Sequence, residues 1–200
     1  MPISFERSWP NKKITTYYQQ KISVWGFFVM IRGMLERVQF VDENDAPIGG
    51  GTREEAWEKG IYRRISRVIL KNEDGEILIQ KRSPLKKTGA NCWTDSSSGH
   101  VDEGEGYDEA AHREMFEEIG ITTDITFLGK FLIVEQKNGK DYRFFNQCYT
   151  GTITKNTPIK IQEEEVSEAK WISIEEVKKL IHDSPEDFTS ALIESIKRFY

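Results

Sequence analysis

The sequence predicts an α/β fold, and three features of its pattern predict it. Strand-like runs separated by turn signals recur before and after one central segment. That segment reads as a helix bounded by glycines, and two more helical patterns close the chain. In order, residues 37–41 alternate as a strand, Asp42-Glu43-Asn44-Asp45 is turn chemistry, and residues 46–50 return as a hairpin partner. Thr52 offers an N-cap for a short helix through Trp57. Residues 61–70 are β-rich, Asn72-Glu73-Asp74-Gly75 is a strong turn, and residues 76–81 complete a second hairpin. A short strand is expected at 93–96 and a helix from Gly106 to Gly120, favoured by Ala110 and Ala111. Residues 125–135 and 142–153 flank Asn138-Gly139 as a longer hairpin, followed by a strand at 169–172. Helices are expected at 174–182 and, capped by Ser184 with Pro185 at its first position, at 186–199.

From residue 35 to 200 the pattern runs without a repeat or low-complexity tract, so it reads as one domain carrying an N-terminal extension, residues 1–34. With 28 basic against 33 acidic residues the net charge is -5, which argues against a broad nucleic-acid-binding surface and leaves small molecules as partners. Cys92 and Cys148 are too few for a disulfide framework and lack zinc-site spacing, and a reducing cytoplasm is the simplest setting. The apolar run at 22–31, ISVWGFFVMI, is about half the length that spans a bilayer, so no membrane segment is expected. Its Val24-Trp25-Gly26-Phe27-Phe28 core suits a patch covered by a second copy, a homodimer.

The chemistry concentrates in GHVDEGEGYDEAAHREMFEEIGI, residues 99–121. On a helix Glu114 lies three residues before Glu117 and four before Glu118, so the carboxylates share one face while Met115, Phe116 and Ile119 fall away to pack. Like charges so crowded repel, and no lysine intersperses them. Closely spaced anionic oxygens suit a hard cation, with magnesium the usual one where substrate phosphates complete the shell.

Gly99, Glu105, Arg113-Glu114-Met115, Glu117-Glu118, Gly120 and Ile121 match the Nudix box without a gap, and the chain resembles Nudix hydrolases. The resemblance implies an α/β/α sandwich around a mixed β-sheet. It implies that Glu114, Glu117 and Glu118 hold Mg2+, or Mn2+, against a diphosphate, with loop backbone at Ser98 and Gly99 adding a carbonyl. Arg113 then orients the carboxylates, Glu105 is its structural partner, and Gly120 belongs to the structural frame. Many members add a late-loop carboxylate as ligand or general base; Glu165 is the candidate, with Glu164 next, and a solvated charged turn at 163–165 is the competing reading.

A closer resemblance, from about Leu35 to the C terminus, is to the Nudix branch similar to isopentenyl-diphosphate isomerase. It rests on Gln80-Lys81-Arg82-Ser83, Lys86-Lys87 and Trp93-Thr94-Asp95-Ser96-Ser97-Ser98-Gly99-His100. It makes Arg82 and Lys86 diphosphate contacts, although Lys86 and Lys87 also read as surface lysines. The departures weigh more. Ser98 stands where the isomerase needs its catalytic cysteine, and Tyr62-Arg63-Arg64-Ile65-Ser66 lacks the upstream metal histidines. A hydroxyl does not replace a thiol in that proton transfer. Dinucleoside-polyphosphate and ADP-ribose specialists carry a proline or tyrosine beyond the box, and Gln136-Lys137-Asn138-Gly139 has neither. The reading is therefore a metal-dependent hydrolase cleaving a diphosphate bond, in a nucleoside diphosphate or a compound linked to one. The alternatives are an isomerase-like enzyme and a catalytically idle binding module, the latter at odds with a box that has lost no carboxylate.

Overall fold

The computed structural model describes residues 37–137 and 139–200. Arg37–Tyr200 forms one compact unit, separate from the residues before it. The expected extension at 1–34, with its apolar run, lies outside the described residues.

This unit opens with strand β1 (Val38–Val41) and strand β2 (Pro47–Gly51). Their turn is closed by Asp42 Oδ1, which accepts from the N–H groups of Asn44 and Ala46 at 2.9 and 2.8 Å. Helix α1 (Arg53–Lys59) is capped by Thr52, whose hydroxyl accepts from Glu55 N–H. Strands β3 (Tyr62–Lys71) and β4 (Ile77–Arg82) form the second hairpin, where Asn72 Oδ1 accepts from Asp74 and Glu76 N–H at 3.0 Å each. Strand β5 (Trp93–Thr94) pairs with β4.

Residues 97–100, expected as loop, instead form strand β6 (Ser97–His100), antiparallel to residues 65–68 of β3. Helix α2 (Tyr107–Ile119) runs between the two expected glycines. Gly120, at φ 70°, ends it by donating to the Met115 and Phe116 carbonyls, a left-handed conformation that a side chain would strain. The long hairpin is β7 (Ile125–Lys137) with β8 (Lys140–Thr152), and β9 (Val166–Ile172) follows. Helix α3 (Ile174–Asp183) is capped by Ser173.

The last helix begins later than expected. Ser184 and Pro185 start only a 3-10 turn, Pro185–Asp187, and helix α4 (Ser190–Phe199) is capped by Thr189, whose hydroxyl accepts from Leu192 N–H. Phe188 between them is extended and buried in the core, and burying its ring overrides continuation of the helix.

Strand β3 organises the mixed sheet. One edge pairs in parallel with β8 from Arg63↔Phe144 to Lys71↔Thr152, while the other is shared in turn by β1, β6 and the start of β4. Because side chains alternate across a strand, Val68, Leu70 and Leu78 meet Ala110, Ala111, Met115 and Ile119 of α2 on one face. Ile69, Ile77 and Ile79 meet Val177, Leu192 and Ile196 of α3 and α4 on the other. The result is an α/β/α sandwich, with the carboxylate-rich helix against one face. Among the described residues no helix is long and apolar enough to cross a membrane.

Candidate active site

Arg113 is the hub of the box. Its Nε and Nη2 donate to the two carboxylate oxygens of Glu105 at 2.8 and 2.7 Å, a bidentate fork that fastens the loop before α2 to the helix. Nη1 donates to Glu114 Oε1 at 2.5 Å and lies 3.4 Å from Glu117 Oε2, and Nη2 also donates to the His100 carbonyl at 2.9 Å. One half-buried guanidinium thus holds Glu105, Glu114, Glu117 and the end of β6 together.

Glu118 is held from the sheet side instead. It is 4% exposed, and its Oε2 accepts from Gln80 Nε2 at 2.8 Å and from Ser98 N–H at 3.0 Å. At Ser98 it is therefore the backbone N–H that meets this carboxylate. Gly99 lies directly against Glu114: a Cβ there would stand 2.0 Å from the carboxyl carbon.

Burial dominates the electrostatics. It pushes the Glu114 carboxyl up to about 8; the Arg113 charge opposes that shift, and the charges of Glu118 and Glu117 add to it. Burial likewise raises Glu118, against its hydrogen bonds from Ser98 and Gln80 and with the Glu165 charge adding. His100 is driven well below its ordinary range by burial and by the charges of Arg53, Arg63, Lys86 and Arg67, so its imidazole is neutral.

The late turn comes to the same place. Gln162 N–H donates to the Glu118 carbonyl at 3.0 Å, Ser83 N–H donates to the Glu165 carbonyl at 2.9 Å, and Lys86 Nζ pairs with the Glu165 carboxylate. Glu163 and Glu164 are exposed. Arg82 donates to the Thr88 carbonyl at 3.2 and 3.1 Å, and the charges of Glu118 and Glu165 act on it. Lys87 is a surface lysine, 3.6 Å from Glu54.

Among the described residues no three His, Cys, Asp or Glu side chains converge as a preformed ion centre; protein donors take up the carboxylate oxygens. The residues nonetheless fit a hard divalent cation. The donors are oxygen only, and the charges of the carboxylates Glu114 and Glu118 oppose each other. The missing Cβ at Gly99 lets backbone approach Glu114 closely.

Gln80 escaped the sequence reading. Its one signal was position, since it shares with Leu78 the face of β4 that packs toward α2, where a polar side chain requires a partner. The buried network in which Arg67 donates to Asp95 at 2.5 Å and to Asn146 at 2.7 Å was equally silent.

Comparison with known proteins extends this geometry. Residues 61–192 match the family model of the NUDIX domain. Isopentenyl-diphosphate Delta-isomerase 2 of Photorhabdus laumondii is 30% identical, covering 78% of this chain and 88% of that protein. An uncharacterized Nudix hydrolase of Pseudomonas aeruginosa is 33% identical over 72% of this chain and 85% of its own. A prenyl-diphosphate phosphatase of Methanosarcina mazei is 31% identical over 80% and 92%. Among solved structures, DR0079 from Deinococcus radiodurans superposes with a TM-score of 0.69 at 26% identity, covering 82% of this chain and 99% of that one.

Proposed function

The chain belongs to the Nudix family, and from that premise we propose that it is a metal-dependent hydrolase that cleaves a diphosphate bond. The observation that carries the reading is the set of three carboxylates on α2, with Glu114 and Glu117 at Arg113 and the buried Glu118 accepting from Ser98 N–H of β6. On this reading the three carboxylates, with backbone at Ser98 and Gly99, hold Mg2+ or Mn2+. The ion supplies charge neutralisation at the phosphates and a more acidic bound water. Glu165 serves as the general base, taking the proton of the water that attacks phosphorus as the bridging P–O bond breaks, and its pairing with Lys86 keeps the carboxylate beside Glu118. Arg82 and Lys86 contact the diphosphate, and Arg113 positions Glu114 and Glu117.

The substrate we propose is a nucleoside diphosphate or a compound linked to one. A second reading, a prenyl diphosphate, is favoured by the match to the prenyl-diphosphate phosphatase over most of both chains. Isomerase chemistry is disfavoured because Ser98 stands where its cysteine is expected and Tyr62-Arg63-Arg64-Ile65-Ser66 holds no histidine. The free Cys92 and Cys148 support a cytoplasmic setting. The test is phosphate or pyrophosphate release, with and without Mg2+, from a panel holding a nucleoside diphosphate, a sugar-linked nucleoside diphosphate and a prenyl diphosphate. Metal-dependent release from any of them is expected, and none from all of them rejects the reading.

A further inference from the structure

We propose that the sheet face opposite helix α2 carries an anion subsite, centred on Arg63, that takes a phosphoryl group. The proposal rests on the hydrolase reading only in assigning that group to the substrate, as a phosphate beyond the scissile bond.

Arg63 alternates along β3 with Tyr62 and Arg64, so it shares its face with Ile65, Arg67 and the core residue Ile69. It is 2% exposed, yet among the described residues no carboxylate pairs with it, and its Nε and Nη1 have no acceptor. Its guanidinium lies instead over the rings of Trp57 at 5.4 Å and Phe144 at 5.6 Å. Trp57 Nε1, a donor only, also lacks an acceptor. His100 stands opposite Ile65 on β6, which puts its side chain on this face, and its Nε2 is unpartnered too.

The neighbouring charges do not repair this. Arg53 opposes the Arg63 charge, and Glu54, which favours it, is exposed and pairs with Lys87. A buried cation without a counter-ion is costly, and the Arg63 and Trp57 orphans are donors. What the cluster lacks is an anion rich in acceptor oxygens. A phosphoryl group has three oxygens and up to two charges, matching a donor set drawn from a guanidinium and an indole better than a monovalent carboxylate does. Trp57, Phe144 and His100 are half-buried. Ser98, whose N–H meets Glu118, lies two residues from His100, about 7 Å along the strand.

The test uses the full chain in chelator, free of divalent metal, titrated calorimetrically with inorganic phosphate. Saturable binding is expected, weakened at least tenfold in Arg63→Met and retained in Glu118→Gln. Arg63→Met keeps bulk between the rings and removes an uncompensated charge, so its unliganded melting temperature should equal or exceed that of the wild type. Phosphate should raise the melting temperature of the wild type and of Glu118→Gln, and not that of Arg63→Met. Arg63→Lys, which keeps the charge but loses the planar donors, is the second variant and should also bind phosphate more weakly. No metal-free binding by the wild type, or equal affinity in wild type and both variants, overturns the proposal. Acetate binding as tight as phosphate overturns the phosphoryl assignment. Metal-free phosphate binding that depends on Arg63, in a protein that hydrolyses nothing on the panel, would sink the hydrolase reading and leave the subsite standing.

Discussion

Gln80 Nε2 donates to Glu118 Oε2 at 2.8 Å, joining the inner face of β4 to the last turn of α2 with both side chains buried. That hydrogen bond favours the ionised carboxylate against a burial that disfavours it. Gln80→Leu removes it, so the Glu118 pKa rises further. The charged form is then lost at a higher pH as acidity increases, and the acid limb of the pH–activity profile moves upward. Metal affinity should fall about 10–100-fold, the range for groups that orient metal ligands. Calorimetric Mg2+ titration across pH checks it; an unmoved acid limb and unchanged affinity would remove Gln80 from the machinery.

Glu114 makes stability depend on pH in an unusual direction. Its folded pKa, about 8, lies above the 4.5 of the unfolded chain, so between those values the folded state binds the extra proton. Its contribution is full below about 4.5 and is lost as pH rises through 8. The melting temperature of metal-free protein should therefore decline through that window, and Glu114→Gln should flatten the decline. Added Mg2+ should raise the melting temperature more at pH 8 than at pH 6, because binding must displace that proton. Identical pH profiles for wild type and Glu114→Gln would contradict this.

Gly99→Ala tests the close approach of strand and helix. The new methyl would stand 2.0 Å from the Glu114 carboxyl carbon, so Glu114 must shift off Arg113. Overpacking of this kind costs about 1–3 kcal/mol. Denaturant unfolding should show that loss, and Mg2+ affinity should fall with it. A variant as stable and as metal-avid as wild type would show that the two elements separate freely.

How far the sequence reveals the molecule can be judged from particular elements. Helix α2 is legible because its signals are local: flanking glycines, helix-favouring alanines and carboxylates three and four apart. Strand β6 is not, since Ser97-Ser98-Gly99-His100 has no alternation of apolar residues and becomes a strand only by pairing with β3 some thirty residues earlier. The start of α4 was obscured because Ser184-Pro185 is a true start signal that serves only a 3-10 turn once Phe188 is buried. In the site, the box glutamates announce themselves by spacing. Gln80 and Arg63 do not, because a polar residue in a strand reads as solvent-facing until the partner layer is known.

Glu117→Gln and Glu118→Gln should each abolish diphosphate hydrolysis while leaving the fold intact. Each substitution removes an anionic donor and also relieves repulsion on the helix face. A loss of several kcal/mol of charge stabilisation corresponds to more than about 100-fold in kcat. Circular dichroism should be unchanged and turnover at saturating Mg2+ nearly absent. Near-normal turnover in either variant would show that its carboxylate is not a ligand.

Ser98 separates hydrolysis from isomerisation. Hydrolysis asks nothing of its hydroxyl, and the contact Ser98 makes with Glu118 runs through its backbone N–H, which alanine keeps. Ser98→Ala should therefore change phosphate release by no more than roughly twofold, the scale of a substitution that breaks no specific contact. Ser98→Cys should not create isomerase activity, because Tyr62-Arg63-Arg64-Ile65-Ser66 supplies no upstream histidine and the proton-transfer set stays incomplete. Wild type and both variants are incubated with isopentenyl diphosphate and with a nucleoside diphosphate, and allylic isomer and phosphate are followed separately. Allylic product from the wild type would overturn the hydrolase reading, whereas phosphate release indifferent to Ser98→Ala supports a reaction at phosphorus in which this side chain takes no part.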